Sequence, residues 1–271
     1  MSAKPYQDQV VWITGASSGV GEGLAEAFAE AGARVVLSAR RETELLRVRE
    51  KLGAADVLIL PMDVTDYGSL LDKVAAVHQH FGHIDMLVCN AGIGQRSRIE
   101  DTSMETFRRL LEVDFFAVVE HVQAVLPIMR EQRSGHIVVT SSVAGKFGIP
   151  AHSGYCAAKH ALHGFCDTLR AEVAEYNIAV STLIIAAIKS NVYEHALTGD
   201  GSELGNAGKA MEGGMDALSA GRTMVKRLAR KDAEITVVAH WRASVALWQQ
   251  RLRPSAVYRR MAKIAQTPAW R

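Results

Sequence analysis

The chain has 271 residues, of which 48% are hydrophobic and 22% charged, and this fits one large α/β domain of an ordinary soluble protein. Its 31 basic and 29 acidic residues give a formal charge of +2, so no nucleic-acid partner is predicted. The three cysteines have neither metal-ligand nor disulfide spacing, which predicts no metal site and favours a reduced, cytoplasmic setting. Residues 1–9 lack a signal-peptide pattern, and no apolar run reaches the roughly 18 residues of a membrane span.

Short apolar runs alternate with longer amphipathic stretches along the chain. The predicted strands are Val10–Ile13, Arg34–Leu37, Val57–Leu60, Met86–Cys89, His136–Thr140, Ala179–Ile185 and Glu234–Val238. The predicted helices are Gly21–Ala31, Glu42–Leu52, Gly68–Phe81, Met104–Arg133 and Gly154–Tyr176. Continuous apolar strands alternating with helices predict a doubly wound parallel sheet, a three-layer αβα arrangement in a single domain, 1–271. Its ligand should bind at the carboxyl ends of the strands.

Residues 190–224 interrupt this alternation with seven glycines and little periodicity. A surface insertion and a lid over the ligand are both compatible with such a stretch. Because the segment follows the sixth strand on the ligand side, we expect a substrate lid.

A glycine-rich turn follows the first strand and leads directly into a helix. Glycines there permit a tight turn and a close approach of the backbone to a pyrophosphate, while free amides at the helix start face the anion. Ordinary turns also contain glycines, but the strand-to-helix position is typical of dinucleotide binding. The predicted contacts are Gly15, Ser17, Ser18, Gly19, Val20 and Gly21.

The end of the second strand indicates which dinucleotide is bound. An acid normally binds the ribose 2′-hydroxyl of NAD at this point, but this chain has Ala39 followed by Arg40 and Arg41. A guanidinium matches a 2′-phosphate in charge and geometry. The alternative is a pair of solvated arginines, which the dipole of the following helix disfavours. NADP(H) is therefore predicted in preference to NAD(H).

Two further strand ends are predicted to line the dinucleotide cleft. Asp63 and Val64 follow the third strand and could contact the adenine, while Asn90, Ala91 and Gly92 follow the fourth. Either stretch alone could be an ordinary turn. At successive strand ends the two support each other.

The residues expected to carry the chemistry are Ser142, Tyr155 and Lys159. Tyr155 and Lys159 lie four residues apart, on one face of a helix. An ammonium beside the phenol, with a positive nicotinamide ring nearby, favours the phenolate and makes Tyr155 a candidate general acid and base. Ser142 would stabilise charge on a substrate oxygen, and Lys159 would also hold ribose hydroxyls. Together they predict hydride transfer between a nicotinamide and a carbonyl or alcohol carbon.

These motifs resemble the short-chain dehydrogenase/reductase family over nearly the whole chain. The matching residues are Thr14–Gly21, Asn90–Gly92, Ser142 and the Tyr155–Lys159 motif, with Tyr155 following Ser142 at the family's spacing. The resemblance implies a Rossmann-like seven-stranded sheet, an NAD(P) cofactor and a homodimer or homotetramer.

Asp114 departs from the family pattern, which has an asparagine here that holds a water between the lysine and a proton relay. An ionised aspartate accepts hydrogen bonds but cannot donate them, and its charge favours a protonated Lys159. One hypothesis is that Asp114 preserves the relay and changes its pH dependence. The alternative is that the acid turns outward and pairs with an arginine.

A second departure follows the sixth strand, where Ala186 and Ala187 replace the family's Pro-Gly. The resemblance implies that Ile188 and Ser190 contact the cofactor, with Ser190 replacing a threonine hydroxyl at the carboxamide. We expect an altered nicotinamide pocket, because alanine adds a methyl group where glycine has none.

The carboxyl-terminal stretch from His240 to Arg271 has seven basic residues and no acid, interleaved with aromatic residues. It could be a packed helix with its basic face in solvent, which is the expected structure, or a helix making peripheral contact with an anionic membrane.

Two classes of function are compatible with these motifs. The first is an enzyme that interconverts a ketone or aldehyde and an alcohol, and the second is an NADP(H)-sensing binding protein without turnover. Retention of the serine, tyrosine and lysine favours the enzyme. Apolar residues near the cleft indicate a small hydrophobic carbonyl or hydroxy substrate; they are Ile93, Val143, Phe147 and Ile149.

Overall fold

A computed structural model describes residues 4–190, 192, 194–205 and 213–267. Its centre is a seven-stranded sheet with the order β3-β2-β1-β4-β5-β6-β7, in which every neighbouring pair is parallel. The strands are β1 (Val10–Thr14), β2 (Arg34–Ser38), β3 (Val57–Ile59), β4 (Met86–Cys89), β5 (Gly135–Ser142), β6 (Ile178–Ala186) and β7 (Glu234–Val238). From β1 the chain adds strands in one direction, to β2 and β3, and from β4 it adds them in the other direction. The strand order therefore reverses between β1 and β4, and a doubly wound sheet opens a ligand crevice at such a point.

Helices cover both faces of this sheet. They are α1 (Gly19–Glu30), α2 (Glu42–Lys51), α3 (Leu70–Phe81), α4 (Met104–Leu111), α5 (Ala117–Gln132), α6 (Ser153–Glu172), α7 (Ala217–Leu228), α8 (Trp241–Leu252) and α9 (Pro254–Ala265). One apolar core joins the sheet to α1, α2 and α7, and a second joins the opposite face to α3, α5 and α6. The predicted single-domain, three-layer αβα fold is confirmed.

Strand β1 shows why continuous apolar runs predict a sheet buried on both sides. All five of its residues are buried. Val11 and Ile13 enter the first core, whereas Val10 and Trp12 enter the second, because successive side chains of a strand point to opposite faces.

Helices α1 and α7 meet through two glycines at a very close approach. A β-carbon on Gly23 would lie 2.2 Å from the carbonyl oxygen of Ala217, and one on Gly221 would lie 2.1 Å from that of Gly23. Backbone atoms cannot move aside as a flexible side chain can, so only residues without a β-carbon permit this packing. The contact holds α1, which begins at the predicted phosphate turn, firmly on the sheet.

The predicted helix Met104–Arg133 is interrupted by a π-helical turn, Glu112–Phe116. This wider turn separates α4 from α5 and contains the buried Asp114. Single π-turns within helices are frequently found at functional sites. An apolar periodicity does not reveal such a turn, because the flanking residues remain helical.

The predicted range of the lid, 190–224, extends too far at its carboxyl end. Residues from Ala217 onward form α7, which is part of the core. In the remaining stretch, 191, 193 and 206–212 lie outside the described residues.

The carboxyl terminus forms a hairpin of two helices, α8 and α9, and not one helix, and its basic side chains are exposed as expected. Only Ala246 of α8 and Val257 of α9 are buried, against Val143, Phe147 and Ile184. The outward surface of the hairpin carries apolar as well as basic side chains. Within the described ranges, no helix combines the length and the hydrophobicity needed to span a membrane.

Candidate active site

A cleft of about 930 Å³ opens at the carboxyl ends of the strands, on the side that the sequence predicts. Most of the predicted cofactor-binding residues line it. They are Gly15, Ser17, Ser18, Gly19, Val20, Arg40, Arg41, Asp63, Val64, Asn90, Ala91, Gly92, Tyr155, Lys159 and Ser190.

The turn between β1 and α1 has the geometry of a cradle for an anion. Gly15 and Gly19 have φ angles of 67° and 56°, in the left-handed region that favours glycine. A β-carbon on Gly15 would lie 2.8 Å from Cα of Ala91, and one on Gly19 would lie 2.6 Å from Cβ of Ser190. The turn leads into the amino terminus of α1, where unpaired amides favour a phosphate. These residues therefore fit a dinucleotide pyrophosphate.

Gly21 acts from behind the cleft and does not line it. A β-carbon there would lie 2.2 Å from the carbonyl oxygen of Gly15, so its role is to let α1 begin close under the turn. The prediction that Gly21 contacts the cofactor is therefore replaced by a packing role.

Asn90 and Thr14 fix the turn to the neighbouring strand. The side-chain amide of Asn90 donates to the carbonyl oxygen of Thr14 at 3.1 Å, and the hydroxyl of Thr14 accepts from the amides of Asn90 and Ala91 at 3.0 and 3.1 Å. Asn90 therefore holds the protein backbone around the cofactor.

Arg47 is a second anchor of the turn, which the sequence motifs did not reveal. Its guanidinium donates to the carbonyl oxygen of Ser17 at 3.0 Å and binds both carboxylate oxygens of Glu22 at 2.8 and 2.9 Å. The arginine lies on α2 and its partners on or next to α1, so only the tertiary fold brings them together.

The predicted 2′-phosphate site has more positive charge than the sequence indicated. Arg40 and Arg41 are exposed and line the cleft, and neither forms a salt bridge with the described residues. Arg108 and Arg109 of α4 line the same cleft. Although burial opposes ionisation of Asp63, hydrogen bonds from Thr65, with Arg40 and Arg109 nearby, hold its pKa below the usual value.

Gln95 positions the start of the catalytic helix α6, and sequence reasoning did not single it out. It is fully buried, and its side-chain oxygen accepts hydrogen bonds from the amides of Gly154 and Tyr155 at 2.7 and 3.1 Å. These donors belong to the first turn of α6, where backbone amides have no helical partner. The side-chain oxygen of Gln95 takes the place of that partner.

Part of the expected lid closes over this region. Leu197 donates to the carbonyl oxygen of Gly94 and accepts from the amide of Arg96, at 2.9 and 2.8 Å. The carbonyl oxygen of Gly199 accepts from the amide of Ser103 at 2.8 Å. Leu197, with His195 and Glu203, also lines the cleft. Backbone hydrogen bonds therefore hold the part of the segment around Leu197 and Gly199 beside the cleft.

Lys159 and Asp114 form a buried pair behind Tyr155. The Lys159 ammonium lies 5.6 Å from the centre of the Tyr155 ring and 3.6 Å from Oδ1 of Asp114, and it donates to the carbonyl oxygen of Thr140 at 3.2 Å. Asp114 is completely buried and accepts from the amide of Ile93 at 2.9 Å. The alternative that this acid turns outward to an arginine is therefore wrong.

The environment of Asp114 is unusual for a carboxylate. Burial raises its pKa above the usual value, although Lys159 and the amide of Ile93 oppose that shift. Its second oxygen, Oδ2, has no hydrogen-bond partner among the described residues. A β-carbon on Gly92 would lie 2.6 Å from Oδ1, so the glycine leaves room for the carboxylate.

Besides Gly21 and Asp114, two more predicted site residues do not line the cleft. Ser142 is nearly buried at the end of β5, and its oxygen accepts from the amide of Ala144 at 3.2 Å. Ile188 is buried in the first core and bridges to Met215. The side chain of Ile188 therefore packs in the core and not in the cleft, so only its backbone is left for the predicted cofactor contact.

Ala187 adopts a conformation that glycine would adopt more easily. Its φ angle is 53°, in the left-handed region, where the β-carbon of an L-residue crowds the backbone. The carbonyl oxygen of Ala187 accepts from the amide of Met215 at 2.8 Å, which holds the strained residue in place. The departure from the family pattern after β6 therefore appears as a strained backbone conformation at Ala187.

The fold and the cleft define an oxidoreductase of the Rossmann-like type, and comparison with known proteins identifies its family. Residues 9–199 match the family model described as short chain dehydrogenase. The chain therefore belongs to the short-chain dehydrogenase family, whose members use nicotinamide cofactors.

Individual relatives agree with this membership. The human "Dehydrogenase/reductase SDR family member 7" is 44% identical over 209 residues, which are 74% of this chain and 62% of the human protein. The Anopheles gambiae "Dehydrogenase/reductase SDR family protein 7-like" is 39% identical over 98% of this chain and 86% of its own length. A solved short-chain dehydrogenase from Streptomyces avermitilis is 28% identical, with a TM-score of 0.81 over 96% of this chain and 98% of that structure.

We expect Ala187→Gly to stabilise the protein by about 0.5–1 kcal/mol. The substitution relieves a left-handed alanine, which costs roughly 1–2 kcal/mol, against the larger unfolded-state entropy of glycine, roughly 0.5–1 kcal/mol. Urea unfolding followed by circular dichroism measures the change. Ala186→Gly, one residue earlier in β6, is the control and should destabilise. Equal destabilisation by both substitutions would contradict the proposed strain.

Proposed function

We propose that this chain is an NADP(H)-dependent oxidoreductase that interconverts a ketone or aldehyde and the corresponding alcohol, with Tyr155 as general acid and base. The observation that carries the proposal is the meeting of Tyr155 and Lys159 in the cleft that also contains the glycine turn. A proton-transferring phenol and a dinucleotide cradle are the two parts that this reaction needs.

The residues of the cleft fit an NADP(H) molecule. The Gly15–Gly19 turn and the start of α1 would hold the pyrophosphate, and Arg40 and Arg41, assisted by Arg109, would hold the 2′-phosphate. Lys159 would bind the ribose beside the nicotinamide, and Ser190, next to Gly19, would bind the carboxamide. When bound, this cofactor supplies or accepts the hydride.

The protein's part of the chemistry is proton transfer and stabilisation of charge. In the reducing direction Tyr155 donates its phenolic proton to the substrate oxygen, and in the oxidising direction its phenolate removes that proton. The Lys159 ammonium stabilises the negative charge left on the phenol. Because the oxygen of Ser142 already accepts from Ala144, its hydroxyl hydrogen is available for the substrate oxygen.

Asp114 acts as a positioning residue in this scheme. Its carboxylate pairs with the Lys159 ammonium and accepts a hydrogen bond from the amide of Ile93, a residue that lines the cleft. A negative charge on Asp114 favours the protonated lysine and opposes formation of a phenolate on Tyr155. The buried carboxylate therefore preserves the proton relay while changing the pH at which it works.

Apolar side chains near the reacting end suggest a small hydrophobic carbonyl or hydroxy substrate. The apolar residues that line the cleft include Ile93, Ile185, Val192 and Leu197. Of the four residues first considered, only Ile93 lines the cleft, since Val143, Phe147 and Ile149 pack around the α8–α9 hairpin. A homodimer or homotetramer in the cytoplasm remains part of the proposal.

We expect Tyr155→Phe to lower NADPH-dependent turnover by about 100-fold or more while NADPH binding is retained, since a general acid contributes roughly 100- to 10,000-fold. NADPH oxidation is followed against a panel of ketones and aldehydes, with Tyr176→Phe, remote from the cleft, as the control. Unchanged turnover in Tyr155→Phe would contradict the mechanism. Tight NADPH binding by the wild type without turnover on any substrate would favour the NADP(H)-sensing alternative.

We expect Arg40→Ala to weaken NADPH binding by about 10- to 100-fold and to leave NADH binding nearly unchanged. A hydrogen-bonded ion pair with a phosphate contributes roughly 1.5–3 kcal/mol, and NADH lacks that phosphate. Calorimetric titration measures both affinities, and Arg49→Ala on the exposed side of α2 is the matched control. An equal loss for both cofactors would show that Arg40 does not read the 2′-phosphate.

We expect Asp114→Asn to move the high-pH decline of the reductase rate to lower pH. The neutral amide removes a negative charge that opposes the phenolate, so the phenol loses its proton earlier as the pH rises. The pKa of Asp114 is raised, so its carboxyl becomes protonated and neutral as the pH falls into the acidic range. The wild type then has the same charge at this position as the asparagine variant, and the difference between their rates should shrink. Rate profiles are compared with those of Asp72→Asn, a substitution at an exposed residue of α3. Superimposable profiles would refute the role of Asp114.

A further inference from the structure

Helix α8 carries an apolar stripe that faces away from the protein. The stripe consists of Trp241, Val245, Trp248 and Leu252, whose spacing of four, three and four residues places them on one face of the helix. Their exposed fractions are 73%, 37%, 65% and 72%. Two largely exposed tryptophans and a leucine on one face form a continuous apolar surface, which is uncommon on a soluble protein.

The α8 stripe is not needed to hold its own helix in place. The hairpin packs inward through Ala246 and Val257 onto Val143, Phe147 and Ile184, on the other side of the helix from the stripe. Of the ten exposed large hydrophobic side chains in the described ranges, the stripe supplies four and Tyr258 of α9 a fifth. The apolar surface of the protein is therefore concentrated on this hairpin.

The hairpin that carries the stripe also carries positive charge. From residue 235 to 267 the sequence has no acid, and the hairpin carries six exposed basic side chains: Arg242, Arg251, Arg253, Arg259, Arg260 and Lys263. None of the six forms a salt bridge with another described residue. The hairpin therefore presents tryptophan and leucine together with cations that form no salt bridge within the part of the chain that the structure describes.

We propose that the α8–α9 hairpin docks the protein on an anionic lipid surface. Tryptophan side chains favour the boundary between headgroups and acyl chains, and arginine and lysine bind lipid phosphates and carboxylates. Apolar insertion and electrostatic attraction are each weak alone and give stable binding together. The hairpin supplies both.

Charge argues against a second copy of the chain as the occupant of this surface. In a symmetric dimer through the stripe, the cations of one hairpin would face the same cations of the other, and neither hairpin has an acid to pair with them. An anionic bilayer supplies the missing negative charge as well as an apolar layer for the tryptophans.

The test is sedimentation of the full chain with lipid vesicles. We expect binding to vesicles of phosphatidylcholine mixed with phosphatidylserine, weak binding to phosphatidylcholine alone, and a decline of binding as salt is added. The double variant Trp241→Ser/Trp248→Ser should lose at least about 10-fold in affinity for the anionic vesicles. Arg259→Glu/Arg260→Glu should lose the preference for anionic lipid.

Matched controls separate docking from misfolding. Leu71→Ser and Ile99→Ser remove apolar side chains of similar exposure, 69% each, elsewhere on the surface, and should bind vesicles as the wild type does. NADPH binding should be unchanged in every variant, since none of the altered residues lines the cleft. A blue shift of tryptophan fluorescence on adding vesicles that disappears in the Trp241→Ser/Trp248→Ser variant reports the stripe, because that variant keeps the other two tryptophans, Trp12 and Trp270.

Two results would overturn the proposal. The first is equal sedimentation of the wild type and the tryptophan double variant with anionic vesicles. The second is a fall in oligomer mass by light scattering in that variant without vesicle binding by the wild type, which would make the stripe a contact between subunits. Either result leaves the proposed reductase activity untouched, because that activity is measured in solution with Tyr155→Phe.

Discussion

The buried ammonium of Lys159 is the group on which the site depends. Lys159 is only 5% exposed, and a charge at that depth is tolerated only with partners close by. Its partners come from different elements: the carboxylate of Asp114 in the π-turn and the carbonyl oxygen of Thr140 in β5. Gly92, after β4, leaves the space that this arrangement occupies. The Lys159 side chain of α6 therefore connects β5 to the π-turn, and it places the ammonium beside the ring of Tyr155.

The cofactor side of the cleft depends on close approach of the backbone. The turn after β1 contacts the end of β4 so closely that a β-carbon on Gly15 would meet Ala91, and Thr14 and Asn90 lock the two together. Gly23 and Gly221 achieve the same closeness between α1 and α7. Small residues thus bring α1 and its amide-rich start under the place where a pyrophosphate would bind.

The two faces of the α8–α9 hairpin differ: the inward face packs on the catalytic fold, and the outward face does not take part in that packing. Its inward contacts pack on Val143 and Phe147, next to the end of β5, whereas its outward face carries exposed tryptophans and arginines that form no salt bridge with another described residue. Folding alone gives no reason to expose so much apolar surface. Binding to a partner outside the chain does give a reason, and the uniform positive charge of the hairpin favours an anionic surface as that partner.

The sequence alone determined the layered sheet, the glycine turn, the Arg40–Arg41 pair and the Tyr155–Lys159 pair. These features depend on spacing within one element or on the order of elements, and a linear pattern records both. Only the tertiary structure decided that Asp114 lies buried against Lys159, that Gln95 caps the start of α6, and that Arg109 of α4 joins Arg40 in one cleft. It likewise decided that Ile188 packs in the core and that the apolar side of α8 faces outward. Each of these facts depends on which distant segments meet, and the three-dimensional packing of the helices on the sheet determines that.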